Sequence, residues 1–270
     1  MNSESSARRD REEAILAAAA ALWEAQGSGV PCPPVRDGLA AHGVDAAYRV
    51  QELNIARHLG PSVRRVGRKI GLTSPAVQQQ LGVNEPDFGT LLSDMAVPDG
   101  GGLAAGAVLQ PKAEGEIAFV LDADLDMPAP TVADVLRATA FILPAIEIVG
   151  SRVQNWDISL IDTVADNASS GMFVLGSPAR APLGFDFAGC AMRMTFDGEE
   201  VSAGTGRACL GNPLNAVVWL AGRMHALGVP LRAGEVILSG ALGPMAAPSP
   251  GAAVEVSISG LGNATFTLEG

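Results

Sequence analysis

Apolar residues along this chain recur with two periods, helical in some stretches and strand-like in others, and the alternation between them maps its elements. An alanine-rich run over residues 7–26 ends at the Gly27-Ser28-Gly29 turn and predicts a helix, with the polar residues 1–6 ahead of it disordered. A proline-rich connector, VPCPPVRDG, follows. Asp45 then stands as N-cap of a second helix carrying Ala47, Val50, Leu53, Asn54 and Arg57 and ending near Gly60-Pro61. The segment SVRRVGRKIGLT reads as a strand, and Ser74 before Pro75 predicts a short helix over SPAVQQQLGV, closed by Gly82. From Leu109 onward strands alternate with glycine-bearing turns, interrupted by helices over 132–141 and 213–227. In the second of these, Leu214, Val217, Val218, Ala221 and Met224 recur at helical spacing and Gly228 follows the end. Short strands at turn spacing fill 236–268, with no internal repeat. The pattern predicts an α+β fold with a mainly β core, in which a helical segment, 1–65, packs on a body formed by 66–270.

One strand breaks the apolar rule. In QPKAEGEIAFVLDADL, alternation places Glu114, Glu116, Ala118 and Val120 on one face and Ile117, Phe119 and Leu121 on the other. Both faces turn apolar, as in a strand buried on both sides, so the carboxylates lie at one end of a buried strand. Paired carboxylates in a low dielectric oblige one of them to take up a proton unless a cation compensates. A third carboxylate, Glu147 in FILPAIEIVGSR, is the only charge between Arg137 and Arg152. Three oxygen ligands with no nearby histidine or cysteine suit a hard octahedral ion, Mg²⁺ or Mn²⁺, rather than zinc. The competing assignment pairs Glu147 with a base such as Arg152 and leaves Glu114 and Glu116 as decoration of a strand end.

Composition narrows the classes of function. The chain has 270 residues and a formal charge of −11, with no basic stripe to meet phosphates, which argues against nucleic acid as a partner. Its 32 glycines and 18 prolines suit a turn-rich, strand-rich body. Cys32, Cys190 and Cys209 are odd in number and widely spaced, which excludes a disulfide framework and points to reduced thiols in the cytoplasm. The apolar stretch from Ile15 to Trp23 is short and flanked by Glu12, Glu13 and Glu24, unlike a signal peptide. No apolar run reaches the ~20 residues needed to span a bilayer.

Other residues carry chemistry at lower specificity. In VGRKIGLT, Gly67, Lys69 and Gly71 share a face, so open space flanks the lysine where an anionic substrate can approach; an edge-strand surface lysine is the plainer reading. Asp87, in NEPDFGTLL, suits an Asx-type turn, and in a partly dry pocket it suits a general base. The polar run DTVADNASSG, 162–171, reads as a hydrogen-bonded loop whose Asn167 and Ser169 offer fixed donors to a substrate carboxylate. His42, His58 and His225 accompany no nucleophile motif, and GTGRACLG lacks the setting of a phosphate loop.

Taken together, GRKIGLTSPAVQQQLGVNEPDFGTLLSDM, the ExE pair with PAIEIVGSR, DTVADNASSG, and LGNPLNAVVWLA with LSGALGPM resemble the hydratases of the fumarylacetoacetate hydrolase superfamily, from about Ala46 to Gly262. The resemblance implies a mixed β-sandwich roll with a divalent metal at one mouth, held as Mg²⁺ or Mn²⁺ by Glu114, Glu116 and Glu147. It makes Lys69 and Asp87 the acid/base pair, with Ser169, Asn167 and Leu72 as substrate contacts. The implied reaction adds water to 2-hydroxypenta-2,4-dienoate, giving 4-hydroxy-2-oxopentanoate in the meta-cleavage degradation of aromatic compounds. A longer 2-hydroxydienoate is one alternative substrate. Decarboxylation of 4-oxalocrotonate is another, with Arg68 or Arg152 receiving the second carboxylate. A catalytically silent partner of a pathway aldolase or decarboxylase is the reading from a different class. Self-association is expected, since relatives assemble. Two departures stand out: the segment before Ala46 matches poorly, and Lys112 stands where relatives often carry arginine.

Overall fold

The computed structural model describes residues 2–75, 78–79 and 82–270. Helices α1 (Asn2–Ser28) and α3 (Val44–His58) precede the first strand, with the single turn α2 (Arg36–Leu39) between them. α1 starts at Asn2 rather than Ala7: no glycine or proline interrupts residues 2–26, and the helix propagates outward from its buried stretch, Ile15 to Ala25. α3 takes Gly43 as its N-cap, which moves Asp45 into the first turn, where its charge favours the helix dipole. The short helix expected over SPAVQQQLGV lies in part outside the described residues.

The body comprises β1 (Arg65–Gly71), β2 (Asp87–Leu92), β3 (Ala96–Val97), β4 (Gly101–Leu103), β5 (Lys112–Leu121), α4 (Val132–Ala138), β6 (Thr139–Val149), α5 (Leu160–Ala165), β7 (Met172–Leu175), β8 (Ala191–Phe196), β9 (Glu199–Thr205), α6 (Pro213–Ala226), β10 (Val236–Leu238), β11 (Ala253–Ile258) and β12 (Gly262–Leu268). They form one sheet in the order β2-β1-β10-β5-β6-β7-β3 and a second in the order β4-β12-β11-β8-β9. The two sheets pack face to face. A Cβ added at Gly115 would lie 2.9 Å from both Met192 of β8 and Val256 of β11, so the second sheet presses directly on the back of β5. The α+β fold expected from the sequence is thus present, with an N-terminal helical layer on a curled, mixed β body.

Two helix boundaries differ from expectation for local reasons. α4 stops at Ala138, because Thr139 and Phe141 enter β6 and pair with Leu121 and Val120 of β5. The polar run 162–171, read as a loop, contains the end of α5 and a turn of 3-10 helix, Asn167–Ser169. Asp162 accepts from the backbone N–H and the hydroxyl of Ser159, an S-x-x-D box that opens the helix.

The N-terminal helices brace this region. Asp162 also accepts the backbone N–H groups of Val35 and Arg36 and pairs with the Arg36 guanidinium at 2.9 Å. Gln51 of α3 donates to the carbonyls of both Phe88 and Val164, joining β2 to α5, while Tyr48 stacks on Phe88 with centroids 4.4 Å apart. An apolar cluster including Leu22, Leu39, Val50, Val153 and Val164 seals the joint. Arg152 fastens the other side: its guanidinium pairs with Asp166 and donates to the carbonyls of Asp166 and Ser170. Truncating it leaves a buried carboxylate without a counter-ion, so Arg152→Met is expected to destabilise the fold by about 3–5 kcal/mol, read by urea unfolding.

Candidate active site and metal centre

Strand register assembles the site. Glu114 of β5 stands directly opposite Glu147 of β6, and Glu116, two residues on, shares their face. Carboxylate oxygens of all three lie within 4.8 Å of one another. Glu116 and Glu147 are buried, whereas Glu114 is half-buried in the wall of a cavity of about 550 Å³. Lys69, buried on β1, brings its Nζ to 3.2 Å from Glu147 Oε2, close enough for an ion pair but without hydrogen-bond alignment. Glu147 therefore pairs with Lys69 and not with Arg152, whose partner is Asp166.

Asp87 is not in an exposed turn. It begins β2, buried, across from Gly71 of β1. A Cβ at Gly71 would lie 2.2 Å from Asp87 Oδ1 and 3.4 Å from Lys69 Nζ, so the acid and the base converge on the space that the missing side chain leaves open. Thr163 of α5 donates to Asp87 Oδ2 at 3.4 Å and its hydroxyl lies 3.1 Å from that of Ser169, which lines the cavity. A line of hydroxyls thus runs from Asp87 to the cavity wall.

Leu72 also lines the cavity, its backbone in the left-handed region at φ 56°. Asn167 does not. Its amide clamps the backbone of β2, accepting from Thr90 N–H and donating to Thr90 C=O at 2.8 and 2.9 Å, which engages one acceptor and one donor site of the side chain. Residues 167–169 all adopt positive φ, 51–56°, a strained arrangement that presents Ala168 and Ser169 to the cavity. The sequence reading missed Thr163, Trp156, which lines the cavity, and Gly240, whose N–H donates to Glu116 Oε2 at 2.7 Å. Gly240 has φ 104° and no room for a Cβ beside Thr73; the glycines of LSGALGPM were the available signal.

The electrostatics call for a cation. Among the described residues the buried side-chain oxygens without a hydrogen-bond partner include Glu116 Oε1, both oxygens of Glu147 and Asp87 Oδ1. Unsatisfied polar atoms are rare in native interiors, and their clustering marks a place for something else to bind. Burial raises the proton affinity of Glu116 well above the glutamate range, with Glu147 and Glu114 adding repulsion; burial likewise pushes Glu147 up to about 7, against the pull of Lys69. Burial also raises Glu114 and Asp87, with Lys69 opposing both. Lys69 is raised despite its burial, because Glu147 and then Asp87 stabilise the ammonium. One lysine among four carboxyl groups leaves a deficit of positive charge, and an all-oxygen set of three glutamates fits a hard divalent ion.

A curled double sheet with three converging carboxylates that could hold a metal ion defines an α+β class. Residues 60–269 match the family model of the fumarylacetoacetate hydrolase C-terminal region, and the chain belongs to that family. It is 55% identical to 2-keto-4-pentenoate hydratase 2 of Dechloromonas aromatica, over 92% of this chain and 94% of that protein. It is 52% identical to the 2-keto-4-pentenoate hydratase of Paraburkholderia xenovorans, over 97% and 96%. Among solved structures, 4-oxalocrotonate decarboxylase from Pseudomonas putida G7, complexed with magnesium and adipate, superposes with a TM-score of 0.90 at 32% identity, covering 95% of this chain and 98% of that one.

Cation binding needs the ionised carboxylates, so Mg²⁺ affinity is expected to fall as pH drops through about 7, with protons released on binding. The raised carboxyl groups stabilise the metal-free fold at low pH, and that contribution is lost as pH rises through about 7, so Mg²⁺ should raise Tm most on the alkaline side. Calorimetry in buffers of different ionisation enthalpy checks the first expectation; an affinity unchanged between about pH 6 and pH 8 would count against the cluster as the site.

Proposed function

We propose that the protein is a divalent-metal-dependent hydro-lyase that adds water to 2-hydroxypenta-2,4-dienoate, giving 4-hydroxy-2-oxopentanoate in the meta-cleavage breakdown of aromatic compounds. The observation that carries this reading is the convergence of Lys69 and Asp87 beside Glu114, Glu116 and Glu147 in one cavity, in a chain more than half identical to hydratases. Glu114, Glu116 and Glu147 would hold Mg²⁺ or Mn²⁺, which when bound supplies Lewis-acid stabilisation of negative charge on substrate oxygens.

The chain's own residues account for the proton traffic. Conversion of the dienol to a conjugated enone removes the proton from the C2 hydroxyl and delivers one to C5. Water then adds its hydroxyl to C4, and C3 takes a proton. Asp87, made more basic by burial and held by Thr163, accepts the proton from water. Lys69, kept as an ammonium by its acidic neighbours, donates to the developing enolate and returns a proton to carbon. Leu72 and Ser169 line the same cavity and contact the substrate. Cys32, Cys190 and Cys209 are all free thiols, which fits a reducing cytoplasm.

The fold similarity to a decarboxylase favours a second reading, loss of CO₂ from 4-oxalocrotonate. The cations offered for its extra carboxylate lie elsewhere: Arg68 points away from Lys69, to Thr90 and Glu52, and Arg152 is consumed by Asp166.

Purified protein with Mg²⁺ is expected to consume 2-hydroxypenta-2,4-dienoate and form 4-hydroxy-2-oxopentanoate, with activity lost in chelator. Metal-independent turnover, or CO₂ from 4-oxalocrotonate with no hydration of the dienol, would sink the hydratase reading. Glu116→Gln removes a charge at nearly constant volume; metal affinity and turnover should fall at least roughly a hundredfold while circular dichroism stays native. Unchanged affinity and turnover in that variant would return Glu116 to a structural role.

A further inference from the structure

Lys112 is the first residue of β5, on the same face as Glu114 and Glu116, and lines the cavity together with Glu114. Unlike Lys69, Arg68 and Arg152, it has no carboxylate within ion-pairing distance among the described residues. Its ammonium instead lies over the ring of Trp156, 4.2 Å from the centroid. Trp156 is itself fixed: its indole N–H donates to the carbonyl of Gln110 at 3.0 Å, and the Gln110 amide donates to the carbonyls of Ser151 and Val153, both at 2.8 Å. Asn155 and Trp156 both hold positive φ, 58° and 55°, a backbone that persists only where its surroundings impose it. The chain thus holds a half-buried positive charge without a direct ion-pair partner beside Glu114 in the cavity wall.

We propose that Lys112 binds the carboxylate of a 2-oxo or 2-hydroxydienoate substrate at the end facing the glutamates, and that Trp156 positions it. This rests on the hydratase reading. A lysine clamped by an aromatic face has lost much of its rotamer freedom before substrate arrives, so less of the ion pair's free energy goes into ordering the side chain. The contact persists from substrate to product, so it acts on binding more than on the chemical step.

The test titrates the Mg²⁺-loaded protein with 2-oxobutanoate, a monocarboxylate, and with 2-oxoadipate, a dicarboxylate, following tryptophan fluorescence. The wild type should bind both with a fluorescence change that Trp156→Phe removes. Lys112→Met should weaken both by a similar factor, roughly ten- to a hundredfold, with KM for the dienoate rising in parallel and kcat little changed; Lys112→Arg should recover most of the loss. Unaltered affinity in Lys112→Met would overturn the proposal, as would absence of binding by the wild type. Weakening confined to 2-oxoadipate would overturn it too, by assigning Lys112 to a distal carboxylate. The titration needs no turnover, so a protein that fails to hydrate the dienoate yet loses 2-oxo acid binding in Lys112→Met would refute the hydratase reading and retain the anchor.

Discussion

Three carboxylates share one face of a single antiparallel strand pair, and water is excluded from two of them. That constraint governs the rest of the molecule. In a low dielectric the repulsion among Glu114, Glu116 and Glu147 is strong, and Lys69 offsets only part of it. A fold that keeps such a group must fix its members tightly, since any relaxation that admitted water would relieve the strain and disperse the site. The second sheet, pressed against Gly115 from behind, removes that escape, as does the donation from Gly240 N–H to Glu116.

Much of the fixing is done by what is absent. Gly71 leaves the space into which Asp87 and Lys69 project; Gly89 lets the carbonyl of Asn167 and the hydroxyl of Ser170 approach β2, where a Cβ would come within 2.4 Å; Gly240 has no room beside Thr73. The N-terminal helices work from further away. Through Asp162 and Gln51 they hold α5 and β2 in register, and those two elements carry Thr163 and Asp87. A segment that carries none of the converging acids and bases nonetheless sets the distance between the Thr163 hydroxyl and the Asp87 carboxylate that it donates to.

What the sequence disclosed divides along the same physical line. Glu114 and Glu116 were legible because their relationship is local: two residues apart on a strand they must share a face. Gly71 flagged the space beside Lys69 for the same reason, whereas the place of a Cβ at Gly67 is taken by the backbone of Val236 in β10. The residues alone left Asp87 between a turn and a general base, because its burial depends on pairing with Gly71, a register between strands that no local pattern encodes. The competing assignment of Glu147 to Arg152 rested on proximity in sequence, and it fails because the end of α5 folds back to bring Asp166 to that arginine first. Asn167 was read as a fixed donor from its residue type, and its clamp on the Thr90 backbone at the edge of β2 was not legible because it depends on how the loop packs on that strand. Thr163 lay within a segment already marked as polar, and only the capping box at Ser159 hinted that it was helical.

The period-two geometry of β1 also decides which cation enters the cavity. Arg68 and Lys69 are adjacent, so one must face Thr90 and Glu52 on the far side while the other faces the carboxylates. A one-residue slip would exchange them and place an arginine against Glu147. An arginine there would balance charge as well as lysine does, but guanidinium does not give up its proton in proteins, whereas an ammonium can donate and be restored. The strand therefore resolves an electrostatic requirement and a chemical one with the same alternation: the residue that must only hold structure points outward, and the one that can carry a proton points in.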